Sequence, residues 1–525
     1  MTRLMATSFA SWDWAVLALY FAILFITGVV FAKRRPSGSQ EFFLGGRRMP
    51  TWAVAFSILA TSLSAATFVG GPQQAYTGDL RYLSSNIGGI LAALVVACFF
   101  IPAFYRQSVT TVYELLEKRF GYGARVISSA MFMLGRIFAS GARLYIAALA
   151  AGVILFNDVQ PRQLCIAIAV LAVVGTVYTL VGGISTVIWT DVIQMFIFIG
   201  AAGAALLLLL VKIPLGPDEI LSVLRSPGPD QPSKLKLFEL GLHIGKPYFG
   251  FDASTPYTIL TAVGGFTLFN LAAYGTDQDL AQRMLTCRSA IRGSWSIVAA
   301  ILGGIPVTLL FMAVGLLLYI FYQRPDLMGL AASPEPDDSR KVFVNFIMKE
   351  MPPGLSGLMM AGLFAAALSS LNSALNAMAS TFVNDFYQKI VPNGTSRHFL
   401  WIGRASVIFW GVALGGFAMI CIFWHRSSGQ TLIDFALSVM MFAYAGLLAV
   451  FLAALFTKRG NQTTAISAMA VGMALIVLLQ PNLWSPHIPN SHTWWLSQIQ
   501  IAFPWRMFIA TSIAFLVCCL TRRTG

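Results

Sequence analysis

Apolar runs recur along the whole of this 525-residue chain, and each is close to the ~20 residues that a helix needs to cross a hydrocarbon core. In lipid the backbone must satisfy its own polar groups, so runs of this length are read as spanning helices. They fall at 12–32, 51–78, 84–105, 124–156, 162–181, 185–211, 257–274, 294–323, 354–383, 399–424, 432–456, 464–480 and 501–520. The expected fold class is an all-α polytopic membrane protein of about 13 transmembrane helices, one membrane domain over 1–525. Charged residues are only 11% of the chain, against ~25% in soluble domains, and no long soluble domain fits between the runs. The first run, from Asp13 to Ala32, is too long for a signal-peptide core and lacks a clear cleavage site, so it is read as a retained helix.

The net charge of +14 is not evenly spread. Basic residues gather in the connections 33–50, 105–123, 283–293, 384–398 and 457–463, among them Arg34, Arg35, Arg47, Arg48, Lys118, Arg119, Arg292 and Lys389, and in the tail at Arg522 and Arg523. These segments alternate so as to share one side, which is the positive-inside pattern. The pattern predicts an outside N-terminus and a cytoplasmic C-terminus in the plasma (inner) membrane. The partner it implies is the lipid bilayer, with no nucleic acid. The six cysteines form neither a disulfide framework nor a C-x2-C metal pattern.

One stretch differs from the other spans. In Ala361–Ser380, twelve of twenty residues are Ala, Gly or Ser and none is charged. Small residues let helices approach closely. Ala366, Ser370 and Ser373 follow an i, i+4, i+7 spacing, and Ser369 lies beside Ser370, so several oxygens share one side. Two readings stay open: a packing seam whose hydroxyls bond back to i−4 carbonyls, or an oxygen-lined cation site.

Set the first run aside as an extra helix. Spans one to five (51–211) and six to ten (257–456) then enter from opposite sides, as two five-helix units of inverted orientation, and 464–520 adds two C-terminal helices. Inverted repeats place a binding site near the midplane, where helices are interrupted. Span one carries Thr61, Ser62, Ser64 and Thr67, then Gly70-Gly71-Pro72, where a break or kink is expected. Span six carries Gly264-Gly265 and Asn270 and runs into Asp277, Gln278, Asp279, Gln282 and Arg283, which are expected at the cytoplasmic interface. Span three holds Arg136 and Arg143, seven residues apart and nearly on one face. An arginine at that depth costs ~2.5–3.5 kcal/mol on insertion scales, so each is paired within the bundle or serves a substrate. Asp191, near the inner end of span five, reads as an interfacial cap, a cation ligand or an arginine partner.

Five stretches in order resemble the sodium/solute symporter family: FFLGGRRMP at 42–50, SILATSLSAATFVGGPQQAYTGD at 57–79, YTLVGGISTVIWTDVIQ at 178–194, YGTDQDLAQRML at 274–285 and GLFAAALSSLNSALNAMASTFVNDFY at 362–387. The GGPQQAYTGD segment looks like the branch of sialic acid, monocarboxylate, vitamin and iodide carriers more than the sugar branch. ASGARLY at 139–145 resembles the proline carriers. The resemblance implies a LeuT-type 5+5 inverted repeat and sodium-driven alternating access. It implies a principal sodium site on the carbonyls of Ala60, Leu63 and Ala366 and the hydroxyls of Ser369 and Ser370. A second sodium site would fall on Asp191, Ser369, Asn372 and Ser373, with an amide at Asn372 where the family has a hydroxyl. The implied solute cavity is lined by Ser62, Ser64, Thr67, Gln73 and Asn270, with Arg136 or Arg143 from span three.

The expected function is a sodium-coupled symporter that imports a small polar organic solute. An arginine in the cavity would favour a carboxylate, sialic acid-like or a monocarboxylate, through a bidentate pair. The alternatives are a neutral sugar or proline-like amino acid symporter, proton coupling through Asp191, and a membrane sensor on the same fold, which the five residues after the last span disfavour. No nucleophile–base pair or HExxH grouping suggests an enzyme.

Overall fold

Where the sequence marks thirteen apolar runs, the structure builds helices. It is a computed structural model that describes residues 9–32, 39–156, 159–181, 183–228, 231–243, 250–329, 338–428, 430–480 and 501–521. Arg34, Arg35, Arg522 and Arg523, part of the charge argument above, lie outside the described residues. The main elements are α1 (Ser11–Ala32), α2 (Thr51–Ser62), α3 (Ala65–Thr77), α4 (Ser85–Val95), α5 (Tyr122–Phe156), α6 (Pro161–Val181), α7 (Ile184–Lys212), α8 (Thr267–Gly275), α9 (Gln278–Leu285), α10 (Ala290–Gln323), α11 (Leu355–Thr381), α12 (Ser396–Ser428), α13 (Leu432–Phe456), α14 (Gln462–Leu478) and α15 (Phe503–Cys518). Among the described residues nine helices are long and apolar enough to cross a membrane, or up to eleven if each bent pair is one span. The shorter apolar helices α14 and α15 complete the set. Among these residues the strands are one short antiparallel pair, Leu242–His243 with Gly250–Phe251.

Both bent pairs matter for function. The first joins α2 to α3 across Leu63 and Ser64, with a bend of 62°. Leu63 is extended (φ −83°, ψ 130°) and is the last residue to donate to the helix behind it, to Leu59 O at 2.9 Å. The carbonyls of the turn that follows therefore have no helical donor. Ser64 starts the next helix as its cap, its hydroxyl accepting from Ala66 N at 3.2 Å. The expected break at Gly70-Gly71-Pro72 is thus misplaced: all three lie inside α3. The glycines serve close packing there. A Cβ on Gly70 would come within 2.8 Å of the Ile433 side chain, and one on Gly315 of α10 within 2.2 Å of Pro72 O.

The second pair joins Ile259–Gly275, which ends in α8, to α9 with a bend of 58°. Asp277 caps α9 by accepting from Asp279 N at 3.1 Å. The polar residues after Gly275 were expected at the cytoplasmic interface. They are buried within the protein: Asp277, Gln278, Asp279, Gln282 and Arg283 are each no more than 1% exposed. The chain turns back into the bundle because it carries its own opposite charges, as described below.

The core is centred on α11, which is buried almost all round, as its uncharged small-residue sequence allows. It packs against α7, α5, α1 and α12. Just beyond its end, Asp385 fixes the helix to α5, accepting from Ser129 Oγ and Arg125 Nη2, both at 2.5 Å, and from Thr111 Oγ1 at 2.7 Å.

Candidate functional site

A cavity of about 140 Å³ lies beside both breaks. Of the residues expected to meet a solute, Ser62, Thr67, Arg136, Arg143 and Asn270 line it. Tyr274 and Tyr444 line it as well, and the sequence did not single them out. Ser64 and Gln73 are corrections. The Ser64 hydroxyl is turned to cap α3, and Gln73 Oε1 accepts from Leu432 N at 3.3 Å, at the start of α13.

The two span-three arginines have different fates. Arg136, 2% exposed, donates through Nε to Asp277 Oδ1 at 3.1 Å and Oδ2 at 3.0 Å, and its Nη1 lies 3.0 Å from Asp279 Oδ2. Tyr444 OH adds a third donor to Asp277, at 2.7 Å. Arg136 is therefore a buried structural ion pair. Arg143 has no carboxylate partner among the described residues. Its Nη1 donates to Thr61 O and to Ser370 Oγ, both at 3.1 Å, and Nη2 touches Met440 Sδ at 3.5 Å. It thus bridges the break in span one and the hydroxyl face of α11.

Of the five expected cation ligands, four meet at one small cavity; Ser370 does not line it, and its Oγ accepts from Arg143 Nη1. Ala60, Leu63, Ala366 and Ser369 surround a small cavity of about 10 Å³, together with Gln194, Met195, Phe198 and Ala365. This is roughly one water-sized probe sphere, a scale that suits a single partly dehydrated ion. Ser369 Oγ donates to Asp191 Oδ1 at 2.7 Å, which leaves its lone pairs for another partner. The donor set is all oxygen, the chemistry of a hard cation. Among the described residues no His, Cys, Asp and Glu cluster offers a transition-metal site.

Of the second expected sodium set, Asp191, Ser369 and Ser373 come together, with Ser369 Oγ donating to Asp191 and Ser373 Oγ donating to Ser369 O at 2.5 Å, while Asn372 is engaged elsewhere. Asn372 Oδ1 accepts from Thr179 Oγ1 on α6, at 3.1 Å. The Arg283 guanidinium lies among the other members, with Nη2 3.2 Å from Asp191 Oδ2 and bonded to Ser373 Oγ. Ser57 Oγ joins Asp191 at 2.5 Å and accepts from Arg283 Nε at 2.8 Å, while Arg283 Nη1 reaches Asp279 Oδ1 at 2.7 Å. Asp191 is hence an arginine partner, and Asp279 links it through Arg283 to Arg136. Sequence reasoning missed this chain because it assigned Asp277, Asp279 and Arg283 to the cytoplasmic interface without pairing them. The signal was there: two arginines within a span require acids at the same depth.

The comparisons with known proteins agree with this geometry. The family model "Sodium:solute symporter family" matches residues 42–472. The chain belongs to the sodium:solute symporter family. It is 31% identical to the sodium/sialic acid symporter NanT of Aliivibrio fischeri over 90% of this chain and 88% of that protein. It is 29% identical to the sodium/sialic acid symporter SiaT of Proteus mirabilis, over 89% and 88%. A solved structure described as the substrate-bound outward-open state of a Na+-coupled sialic acid symporter superposes with a TM-score of 0.78 at 26% identity, covering 98% of each chain. The fold is the LeuT type, and the chain is a multi-pass, sodium-coupled membrane symporter, not an enzyme.

Arg136→Gln should destabilise the protein by about 3–5 kcal/mol, the cost of leaving a buried charge unpaired. Tyr444→Phe should cost about 1 kcal/mol, one hydrogen bond. Thermal unfolding of the purified variants in detergent reads both. A melting temperature for Arg136→Gln equal to that of the parent would show that the pair does not hold the bundle.

Proposed function

We propose that this symporter carries a carboxylate-bearing organic solute, recognised by Arg143, together with one sodium ion held by the Ala60, Leu63 and Ala366 carbonyls and the Ser369 and Ser370 hydroxyls. The observation that carries the reading is the contrast between two arginines on one cavity. Arg136 is consumed by Asp277 and Asp279, while the Arg143 fork meets only a carbonyl, a hydroxyl and a thioether. A guanidinium without an acidic partner in a low-dielectric cavity is suited to a bidentate carboxylate. The sialic acid named for the relatives is a carboxylate of this kind. Ser62, Thr67 and Asn270 offer hydroxyl and amide groups to the rest of the solute. We place no second sodium ion, because the Arg283 guanidinium supplies the positive charge between Asp191 and Ser373.

The two halves, 51–211 and 257–456, are proposed as the inverted units. Each opens with a broken span, α2–α3 and α8–α9, which supports the pairing. The orientation follows the basic connections, with the N-terminus outside and the C-terminus cytoplasmic. Cysteines placed at exposed Arg48 and exposed Asp218 test it in intact cells. Membrane-impermeant maleimide should label position 218 and spare position 48, and the reverse pattern would invert the topology.

Arg143→Lys keeps the charge and loses the fork. Its apparent KM for a carboxylate solute should rise at least ~10-fold, the scale of one charge-assisted hydrogen bond, measured by uptake in proteoliposomes. An unchanged KM would remove Arg143 from recognition.

Ser369→Ala and Ser370→Ala should each raise the sodium requirement. The change barely alters volume, so packing survives, but the cation loses one of about five oxygens. Solute binding should be poor at low sodium and recover at high sodium, because coupling acts equally in both directions. If both variants lose thermal stability while their sodium curves stay in place, α11 is a packing seam and the site assignment falls.

A further inference from the structure

Several basic side chains in the connections that mark one end of the bundle have partners within the protein. Lys389 reaches Glu117 at 3.4 Å, Lys118 donates to Gln107 O at 2.9 Å, Arg119 to Arg459 O at 2.8 Å and Arg47 to Val109 O at 3.2 Å. Arg404, near the start of α12, is different. Its guanidinium has no hydrogen-bond or ion-pair partner among the described residues. The side chain is half-buried, with Cζ 5.4 Å from the centre of the Trp401 ring. A charge at the edge of the apolar run needs water, an acid or an anion to offset its desolvation, and the acids at this end are taken: Glu117 and Asp385 both pair with Arg125.

The surroundings form one stripe. Arg397, Trp401, Arg404, Ile408 and Val412 recur at i, i+4, i+7, i+11 and i+15, so they lie along one side of α12. All but Arg404 are exposed, Trp401 at 58%. The stripe changes character along its length. Two guanidiniums and a tryptophan stand at the end of the helix, and aliphatic side chains follow deeper in the apolar run. Beside it α12 meets α6 closely, since a Cβ on Gly411 would run into Thr176 Oγ1. Next to that contact Val173 and Val177 of α6 are exposed.

We infer that this stripe holds one anionic phospholipid, with its headgroup phosphate on Arg397 and Arg404, its glycerol region at Trp401 and an acyl chain along Ile408 and Val412. The inference goes beyond the transport reading and does not depend on it. Charge complementarity carries it. Guanidinium matches phosphate with two parallel hydrogen bonds, and an arginine with no protein acceptor leaves that fork available. Tryptophan favours the headgroup level of a bilayer, where its ring is apolar and its N–H is wet. Below that level the exposed aliphatic side chains are what acyl chains cover. Under the orientation proposed above, the start of α12 lies in the cytoplasmic leaflet, where anionic lipids attract basic segments.

The probe is phosphatidylglycerol with brominated acyl chains, which quench tryptophan on contact, titrated into the purified protein in a neutral detergent. A saturable quenching phase is expected, and Trp401→Phe should remove it. Arg397→Gln and Arg404→Gln should each raise the half-saturating lipid concentration about fivefold, the scale of one basic residue against an anionic headgroup. Brominated phosphatidylcholine should give no saturable phase, and inorganic phosphate should not displace the phosphatidylglycerol. Curves for both glutamine variants within about a factor of two of the parent overturn the inference, as does a saturable phase that survives Trp401→Phe. Equal binding of phosphatidylcholine overturns it in favour of a general lipid contact, and displacement by inorganic phosphate in favour of a free-anion site. Should Arg404→Gln fail to purify, Arg397→Gln, at an exposed position, decides alone. The leaflet is tested separately by the labelling of positions 48 and 218: a reversed topology moves the site to the outer leaflet and leaves these curves as they are.

Discussion

A helix broken inside a membrane bundle exposes carbonyl oxygens that lipid cannot satisfy, and how those oxygens are met organises this protein. After Leu63 donates back to Leu59, the next turn of span one has no helical donors. One of its carbonyls, Thr61 O, is taken by Arg143. Ala60 and Leu63 line the small cavity against α11. The small-residue sequence of α11 follows from the same need. A break is useful only if a partner helix comes close enough to complete the oxygen cage, and a helix of Ala, Gly and Ser can do so. On the proposed reading, the packing seam and the cation site, posed as rivals for Ala361–Ser380, are two aspects of one arrangement: close approach is what brings Ser369 to the cavity beside the break.

The second break makes a different use of the same principle. Between α8 and α9 the chain turns inside the bundle with Asp277 as cap, and the capping carboxylate also receives Arg136 and Tyr444. The buried charges then run on through Asp279 and Arg283 to Asp191 and Ser57. Each ion in such a chain would be costly alone, and each is offset by its neighbours. The chain crosses α2, α5, α7, α9, α11 and α13. A displacement of α9 therefore changes the surroundings of Asp191, and through Ser369 those of the cation site.

Much of this was legible in the sequence, and the failures have physical causes. Run length and hydropathy mark the spans, because the bilayer leaves no other solution for the backbone. The hydroxyl face of α11 was legible because helical spacing is regular. The break in span one was misplaced to Gly70-Gly71-Pro72 because glycine and proline were read as breakers. In α3, Gly70 instead admits Ile433 and Gly71 the Phe311 side chain of α10, and the actual break needs only an extended Leu63 and a capping serine. Ser64 and Gln73 were placed in the cavity by the family resemblance, but each has a backbone partner that the resemblance does not reveal. The burial of Asp277, Asp279 and Arg283 was missed because charge was taken to mark the cytoplasmic interface. Charge inside a bundle means a partner, and Arg136 was the unanswered half of that pair.

The ionic groups around the cavity and the cation cage also bear on why sodium and an anion should travel together. Asp191, Asp277 and Asp279 carry three negative charges; Arg136, Arg143 and Arg283 carry three positive ones. Five of the six are joined in one hydrogen-bonded chain that by itself sums to minus one. Arg143 balances it from the far side of Ser370. A sodium ion in the proposed cage would place a second cation near Arg143, in surroundings where the interaction of two unit charges is several times stronger than in water. On the proposed reading, a carboxylate on the Arg143 fork would cancel that excess. The anion then costs less to bind when the ion is present, and the ion less when the anion is present, which is the reciprocal coupling that symport requires.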